Sequence, residues 1–90
     1  MTAERIQQIQ GLLEAAFAPS HLQVKDQSHL HEGHAGARGG MGHFEVTIVA
    51  DAFEGKSRIE RHRLVYAAMG TLMQTDIHAL KINAFSPTER

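Results

Sequence analysis

The chain has 90 residues, of which 42% are hydrophobic and 21% charged, with two prolines. This composition is typical of a folded globular protein, and we expect residues 1–90 to form a single domain. The net charge of −1, with histidine neutral, excludes an overall basic field that would attract nucleic acid or acidic membranes. Because there is no cysteine, the chain has neither a disulfide nor a cysteine nucleophile, and any thiolate ligand must come from a partner.

Signals for export, membrane insertion and catalysis are all missing from the sequence. The N-terminal segment lacks the features of a signal peptide, and no apolar run approaches the roughly 20 residues that span a bilayer. There is no Gly-x-Ser-x-Gly elbow, no phosphate-binding loop and no pair of carboxylates at catalytic spacing. We therefore expect a cytoplasmic protein that is not an enzyme and has no small-molecule substrate.

Two apolar patterns predict a helix and a strand before residue 26. Apolar residues recur at helical spacing between residues 6 and 17, and Pro19 predicts the end of this helix. Leu22 and Val24 alternate with polar residues, which predicts a short half-buried strand. A long glycine-rich segment follows, and we expect it to be a loop.

The second half of the chain predicts a strand, a helix and another strand. Apolar and polar residues alternate over residues 43–50 and again over 79–85, as in strands with one buried face. Between them, Ser57 and Glu60 have the spacing of a capping box, which begins a helix. We expect Phe53 to anchor the turn before that helix, and His62 to be a buried, hydrogen-bonded structural residue. The predicted apolar stripe of the helix consists of Ile59, His62, Tyr66, Met69 and Met73, with Val65 and Leu72 beside it.

The order helix, strand, strand, helix, strand predicts an α+β fold. The first two strands should form an antiparallel hairpin, and the third should lie parallel to the second after a right-handed crossover. We expect a mixed three-stranded sheet with both helices on one face, a sandwich of two layers.

Histidine is the most informative residue type in the chain, which contains seven of them. His29, His31 and His34 lie in the glycine-rich segment before His43. Imidazole is the commonest protein metal ligand and titrates near neutral pH. These spacings alone would also allow a stand-alone site for zinc or nickel.

Four segments of the chain resemble one known family. They are residues 42–49, residues 53–55, the segment 61–66 that begins Arg-His-Arg, and residues 77–80, which contain the run His-Ala-Leu. Their order and spacing resemble the BolA family over nearly the whole chain. The resemblance implies an αββαβ arrangement related to the type II KH domain, in agreement with the elements predicted above.

The resemblance also implies a partner and a metal cluster. BolA-like proteins share a 2Fe-2S cluster with a monothiol glutaredoxin, and the imidazole just before the last strand, which matches His78, is one ligand. The second ligand lies in the loop between the first two strands and matches His34, with His31 as the alternate. The glutaredoxin cysteine and a glutathione thiol supply the other two ligands, so the chain alone is expected to hold no cluster.

A second interpretation makes the chain a DNA-binding transcriptional regulator, active in stress or morphology responses as reported for some BolA proteins. The segment 53–69 could pass for a helix-turn-helix. Glu54 and Glu60 lie within the same basic patch and would weaken its contacts with phosphate. The candidate DNA-binding residues are Lys56, Arg58, Arg61 and Arg63.

Overall fold

The described elements follow the predicted αββαβ order. The computed structural model of the chain describes residues 2–27, 42–75 and 77–89, with residues 2, 3, 75 and 78 described by their backbone alone. The 3-10 helices Asp51–Phe53 and Pro87–Glu89 follow the second and third strands. The main elements are α1 (Thr2–Phe17), β1 (His21–Asp26), β2 (Gly42–Val49), α2 (Arg58–Met69), α3 (Leu72–Thr75) and β3 (Ile77–Phe85).

The strands form a mixed sheet with β2 in the centre, in the order β1-β2-β3. β1 and β2 pair antiparallel, with Val24 opposite Val46, and β2 and β3 pair parallel, with Val46 opposite Ile82. The predicted hairpin and the predicted parallel crossover are both confirmed. A parallel partner for β2 requires a connection long enough to return to the start of the sheet, and α2 and α3 provide it.

One face of the sheet and both long helices share a single apolar core. Alternate residues of each strand point into it, and α1 and α2 each contribute apolar side chains. The ring of Phe53 is fully buried and lies 5.0 Å from that of Phe17, centroid to centroid, so the predicted anchor of the turn is confirmed. The buried core consists of Ile9, Leu13, Val24, Phe44, Val46, Ile48, Ala50, Phe53, Val65, Met69, Ile77, Leu80 and Ile82.

The apolar stripe predicted for the second helix was wrong at two positions. Ile59 is 64% exposed and Tyr66 41% exposed, whereas Val65 and Met69 are buried. At about 100° per residue, Ile59 and Tyr66 lie on nearly the same side of α2, about 100° away from Val65. The buried side of α2 is therefore centred on Val65 and Met69 and turned away from Ile59.

The second helix is also shorter than the predicted stripe implied. α2 ends at Met69, and Gly70 has φ 56°, a conformation that residues with a Cβ rarely adopt. Met73, the last member of the predicted stripe, lies in α3 and still packs against the core. Gly70 therefore divides the predicted helix into two pieces that cover the same core.

Candidate functional site

The start of β3 lies at the same end of the sheet as both ends of the histidine-rich segment. Gly42 pairs with Ile77 and His43 pairs with Ala79, so His78 is an additional residue of β3 at an irregularity in the ladder. The Gln27 amide donates a hydrogen bond of 2.7 Å to the His43 carbonyl, which holds the end of β1 at the same place. The backbone of His78 thus lies at the end of the sheet where the segment 28–41 begins and ends. It is next to the start of β2 and across β2 from the end of β1.

The two predicted loop ligands, His34 and His31, lie outside the described residues, and His78 is described by its backbone alone. An extended chain spans about 3.3–3.6 Å per residue. Either loop histidine has enough chain on both sides to reach the start of β3. Chain length therefore does not select between His34 and His31, and the choice of loop ligand stays a prediction.

His43 is buried in the central strand and is only 8% exposed. Its carbonyl accepts the Gln27 amide, so the backbone of His43 helps to hold the end of β1. Within residues 2–27, 42–75 and 77–89, no group of three or more histidine or carboxylate side chains is arranged to hold a metal ion. A site for zinc or nickel would therefore need at least one side chain outside the described set, such as that of His78 or of a histidine in the segment 28–41.

Three of the four predicted DNA-binding residues surround a concave cavity at the other end of β3. Lys56, Arg58 and Arg61 line a cavity of about 420 Å³ together with the end of β3 and Glu89. The fourth, Arg63, lies outside it on the exposed side of α2. Arg63 instead borders a shallow depression with Lys56 and Glu60, so Lys56 connects the cavity with the exposed side of α2.

The Arg61 guanidinium is held by contacts inside the protein. Its Nη1 and Nη2 donate to the two carboxylate oxygens of Glu89 at 2.6 and 3.1 Å, and Nη1 also donates to the Ala84 carbonyl at 3.0 Å. Its Nε donates to the Lys56 carbonyl at 2.9 Å, and the side chain is only 12% exposed. Arg61 is therefore occupied, and a phosphate group could reach it only by displacing Glu89.

Contact with Glu89 changes the pKa of both partners. The hydrogen bonds from Arg61, followed by the bond from the Ser86 amide, lower the pKa of Glu89 to about 2. The same carboxylate raises the pKa of Arg61 above its usual value. Sequence reasoning missed Glu89, because no local pattern links it to a residue 28 positions away.

His62 differs from the sequence prediction. It is half-buried and lines the same cavity, but its ring forms no hydrogen bond with the part of the chain that the structure describes. The prediction that His62 is a hydrogen-bonded structural residue is therefore wrong as far as partners in the described part of the chain are concerned. The N-terminal end of α2, where His62 lies, borders the cavity instead of covering the centre of the core.

A carboxylate also organises the open face of the sheet. Glu45 accepts hydrogen bonds from the Gln27 side chain at 3.3 Å and from Asn83 Nδ2 at 3.1 Å. Lys81 Nζ lies 3.8 Å from the same carboxylate. This network connects β2 with β3 and with the end of β1. It stabilises the end of the sheet that is nearest to the histidine-rich segment.

Comparison with known proteins identifies the family. Residues 13–89 match the family model described as BolA-like protein. The chain belongs to the BolA family. Its structure superposes on the BolA domain of SufE1 from Arabidopsis thaliana with a TM-score of 0.86 and 41% identity, covering 96% of this chain and 95% of that one. The BolA fold inferred from sequence is thereby confirmed.

Two curated relatives show how the BolA domain occurs in longer proteins. The DNA-binding transcriptional regulator BolA of Escherichia coli is 36% identical over 99% of this chain and 79% of its own length. SufE-like protein 1 of Arabidopsis thaliana, a chloroplastic and mitochondrial protein, is 43% identical over 90% of this chain but only 23% of its own length. Among the described residues of the present chain, no helix is long and apolar enough to cross a membrane.

Proposed function

We propose that this BolA protein is an adaptor that binds a monothiol glutaredoxin and shares a 2Fe-2S cluster with it in iron–sulfur cluster trafficking and iron regulation. The main support is the position of the His78 backbone, at the end of the sheet where the segment that contains His31 and His34 begins and ends. The proposal assigns His78 and His34 as ligands, with His31 as the alternate. It includes a cytoplasmic location and no catalytic activity.

The donor set of the chain fits one half of such a cluster. The chain has seven histidines and no cysteine, so it can offer imidazoles to one iron while thiols of the glutaredoxin and of glutathione bind the other. Replacing thiolates by imidazoles makes a cluster less negative and raises its reduction potential, as in Rieske centres. Such a cluster is suited to sensing or transfer.

The ligand assignment is tested by mixing the protein with a cluster-loaded monothiol glutaredoxin and recording visible absorption and circular dichroism. We expect His78→Ala to abolish or alter the spectrum of the complex and His34→Ala to weaken it. His21→Ala is the matched control, because His21 is exposed and lies at the opposite end of the sheet, paired with Val49. The control should leave the spectrum unchanged.

Each result has a distinct meaning for the assignment. An unchanged spectrum and cluster lifetime in both His78→Ala and His34→Ala would show that the ligands are wrong. An effect of His31→Ala without one of His34→Ala would assign the loop ligand to His31. Because imidazole must be neutral to bind, the wild-type cluster should also become less stable as pH falls through about 6.5.

DNA binding is the second candidate function. It is favoured by the Escherichia coli relative, whose name describes a DNA-binding transcriptional regulator. In the described part of this chain Lys56, Arg58 and Arg63 form no ion pair, so they could contact phosphates, whereas Arg61 is held by Glu89. The adaptor is preferred because only two of the three cations at the cavity, Lys56 and Arg58, are available for binding.

A further inference from the structure

β3 is an edge strand, and its outer edge borders the cavity described above. In the order β1-β2-β3 no other described strand covers this edge. The Leu80 carbonyl accepts the Tyr66 hydroxyl at 3.3 Å, and the Ala84 carbonyl accepts Arg61. Because the direction of peptide groups alternates along a strand, the N–H and C=O of Ile82, midway between these two, face the same edge.

The cavity beside Ile82 carries an excess of positive charge. Lys56, Arg58 and Arg61 line it, and Glu89 supplies the one carboxylate. Glu89 neutralises Arg61 through two hydrogen bonds, while Lys56 and Arg58 have no ion-pair partner in the described part of the chain. Glu60 interacts electrostatically with Lys56, and Glu54 with Arg61, without forming a direct ion pair. Lys56 and Arg58 therefore remain without a direct carboxylate contact, next to a carboxylate that the cavity already binds.

We propose that this cavity is a docking site for an acidic side chain on an extended segment of a partner protein. The carboxylate would bind Lys56 and Arg58, and the main chain of the segment would hydrogen-bond to the peptide group of Ile82. The binding of Glu89 shows that the geometry accepts a carboxylate from a polypeptide. Duplex DNA fits less well, because a single side chain can enter a concave site at a strand edge and a rigid sugar–phosphate backbone cannot.

The docking site is separate from the proposed cluster site. Ile82, the centre of the docking site, lies four residues beyond His78 in β3, which corresponds to about 13 Å. A segment bound near Ile82 would therefore leave the start of β3 accessible. The proposal does not depend on the cluster, and the protein can be tested without metal or glutaredoxin.

The test is a titration of the isotope-labelled full chain with a blocked hexapeptide of alternating glutamate and valine, followed by NMR. We expect chemical-shift changes centred on Lys56, Arg58 and Ile82, and much smaller changes with the matching glutamine–valine peptide. Substituting both Lys56→Gln and Arg58→Gln should weaken binding about three- to tenfold, the range for two partly exposed charge pairs. Lys25→Gln removes a positive charge from β1, at the other edge of the sheet, and should bind normally.

Glu89→Gln provides a second test, because it releases Arg61 to bind the acidic peptide and should increase affinity. Inorganic phosphate and a DNA duplex are titrated in parallel. Equal binding of phosphate at the same residues would overturn the polypeptide assignment in favour of a simple anion site. Tighter binding of the duplex there would assign nucleic acid instead. Shift changes spread evenly over all surface cations, or none at millimolar peptide, would also overturn the proposal.

Discussion

At the scale of single residues, the pair of Arg61 and Glu89 has the most consequences. The planar guanidinium binds both carboxylate oxygens and also the carbonyls of Lys56 and Ala84. Through these bonds one side chain connects the start of α2, the end of β3 and the 3-10 helix Pro87–Glu89. The same pair removes one cation from the predicted DNA-binding patch and shapes the cavity at the edge of β3.

The first residue-scale prediction concerns acid titration of Glu89. Its pKa is lowered to about 2, first by the Arg61 hydrogen bonds and then by the Ser86 amide. A lowered pKa in the folded state means that this carboxylate stabilises the fold above its unfolded pKa near 4.5, and that the contribution is lost as pH falls towards 2. NMR titration of the side-chain carboxyl should show this directly.

A matched pair of variants tests the cause of that shift. In Arg61→Gln the Glu89 pKa should rise most of the way back to its ordinary value. In Arg63→Gln it should stay close to the wild-type value, because Arg63 does not contact Glu89. If the wild-type carboxyl titrates near 4.5, the Arg61–Glu89 pair does not form in solution as described.

At the scale of elements, the start of α2 shows how a local sequence signal becomes a defined structure. The Ser57 hydroxyl accepts the Glu60 amide at 3.2 Å, and the Glu60 carboxylate accepts the Ser57 amide at 2.7 Å. The hydrogen bond from the Ser57 amide is the largest cause of the lowered pKa of Glu60, followed by that from the Ser57 hydroxyl. The cap fixes where α2 begins and so positions Arg58 and Arg61.

Removing the cap should cost stability without changing the fold. Ser57→Ala loses the side-chain acceptor for the Glu60 amide, which typically destabilises a protein by about 1 kcal/mol. Ser57→Asn keeps an acceptor and should remain within a few tenths of a kcal/mol of wild type. Urea unfolding followed by circular dichroism measures both. Equal midpoints for Ser57→Ala and the wild type would show that the cap contributes little.

At the scale of the whole molecule, the sheet separates two candidate sites. The histidine site lies where β3 begins, and the basic cavity lies where β3 ends. A net charge of −1 spread over the chain provides no long-range attraction for nucleic acid. This charge distribution favours binding of a partner at one end of β3 over binding along the phosphate backbone of a nucleic acid.

This charge distribution predicts the outcome of a DNA-binding measurement. With Arg61 paired, few phosphates can be neutralised, so duplex binding should be weak, independent of sequence and strongly reduced by salt. Fluorescence anisotropy with several duplexes at low and physiological salt tests this, with Lys25→Ala as the control for Arg58→Ala. Sequence-selective binding that persists at physiological salt and is lost in Arg58→Ala would favour the transcriptional regulator over the adaptor.

Local patterns were sufficient to predict the order of the long helices and strands and the pairing of the strands, but not the break at Gly70. The alternation in β2, the spacing of Ser57 and Glu60, and the stop at Pro19 each report the conformation of a few neighbouring residues. Such signals are strong because side-chain direction repeats every 2 residues in a strand and every 3.6 in a helix. The choice of a parallel third strand followed from the rule that strands joined through a helix are usually parallel.

The sequence by itself therefore determined the αββαβ fold and the family, since both depend on the order of local elements and motifs. Only the tertiary structure decided that Ile59 is exposed, that Arg61 is held by Glu89 and that a basic cavity borders Ile82. It also placed the His78 backbone at the end of the sheet where the histidine-rich segment begins and ends. The physical reason is distance along the chain: these contacts join residues from different elements, and periodicity within one element carries no information about its neighbours in space.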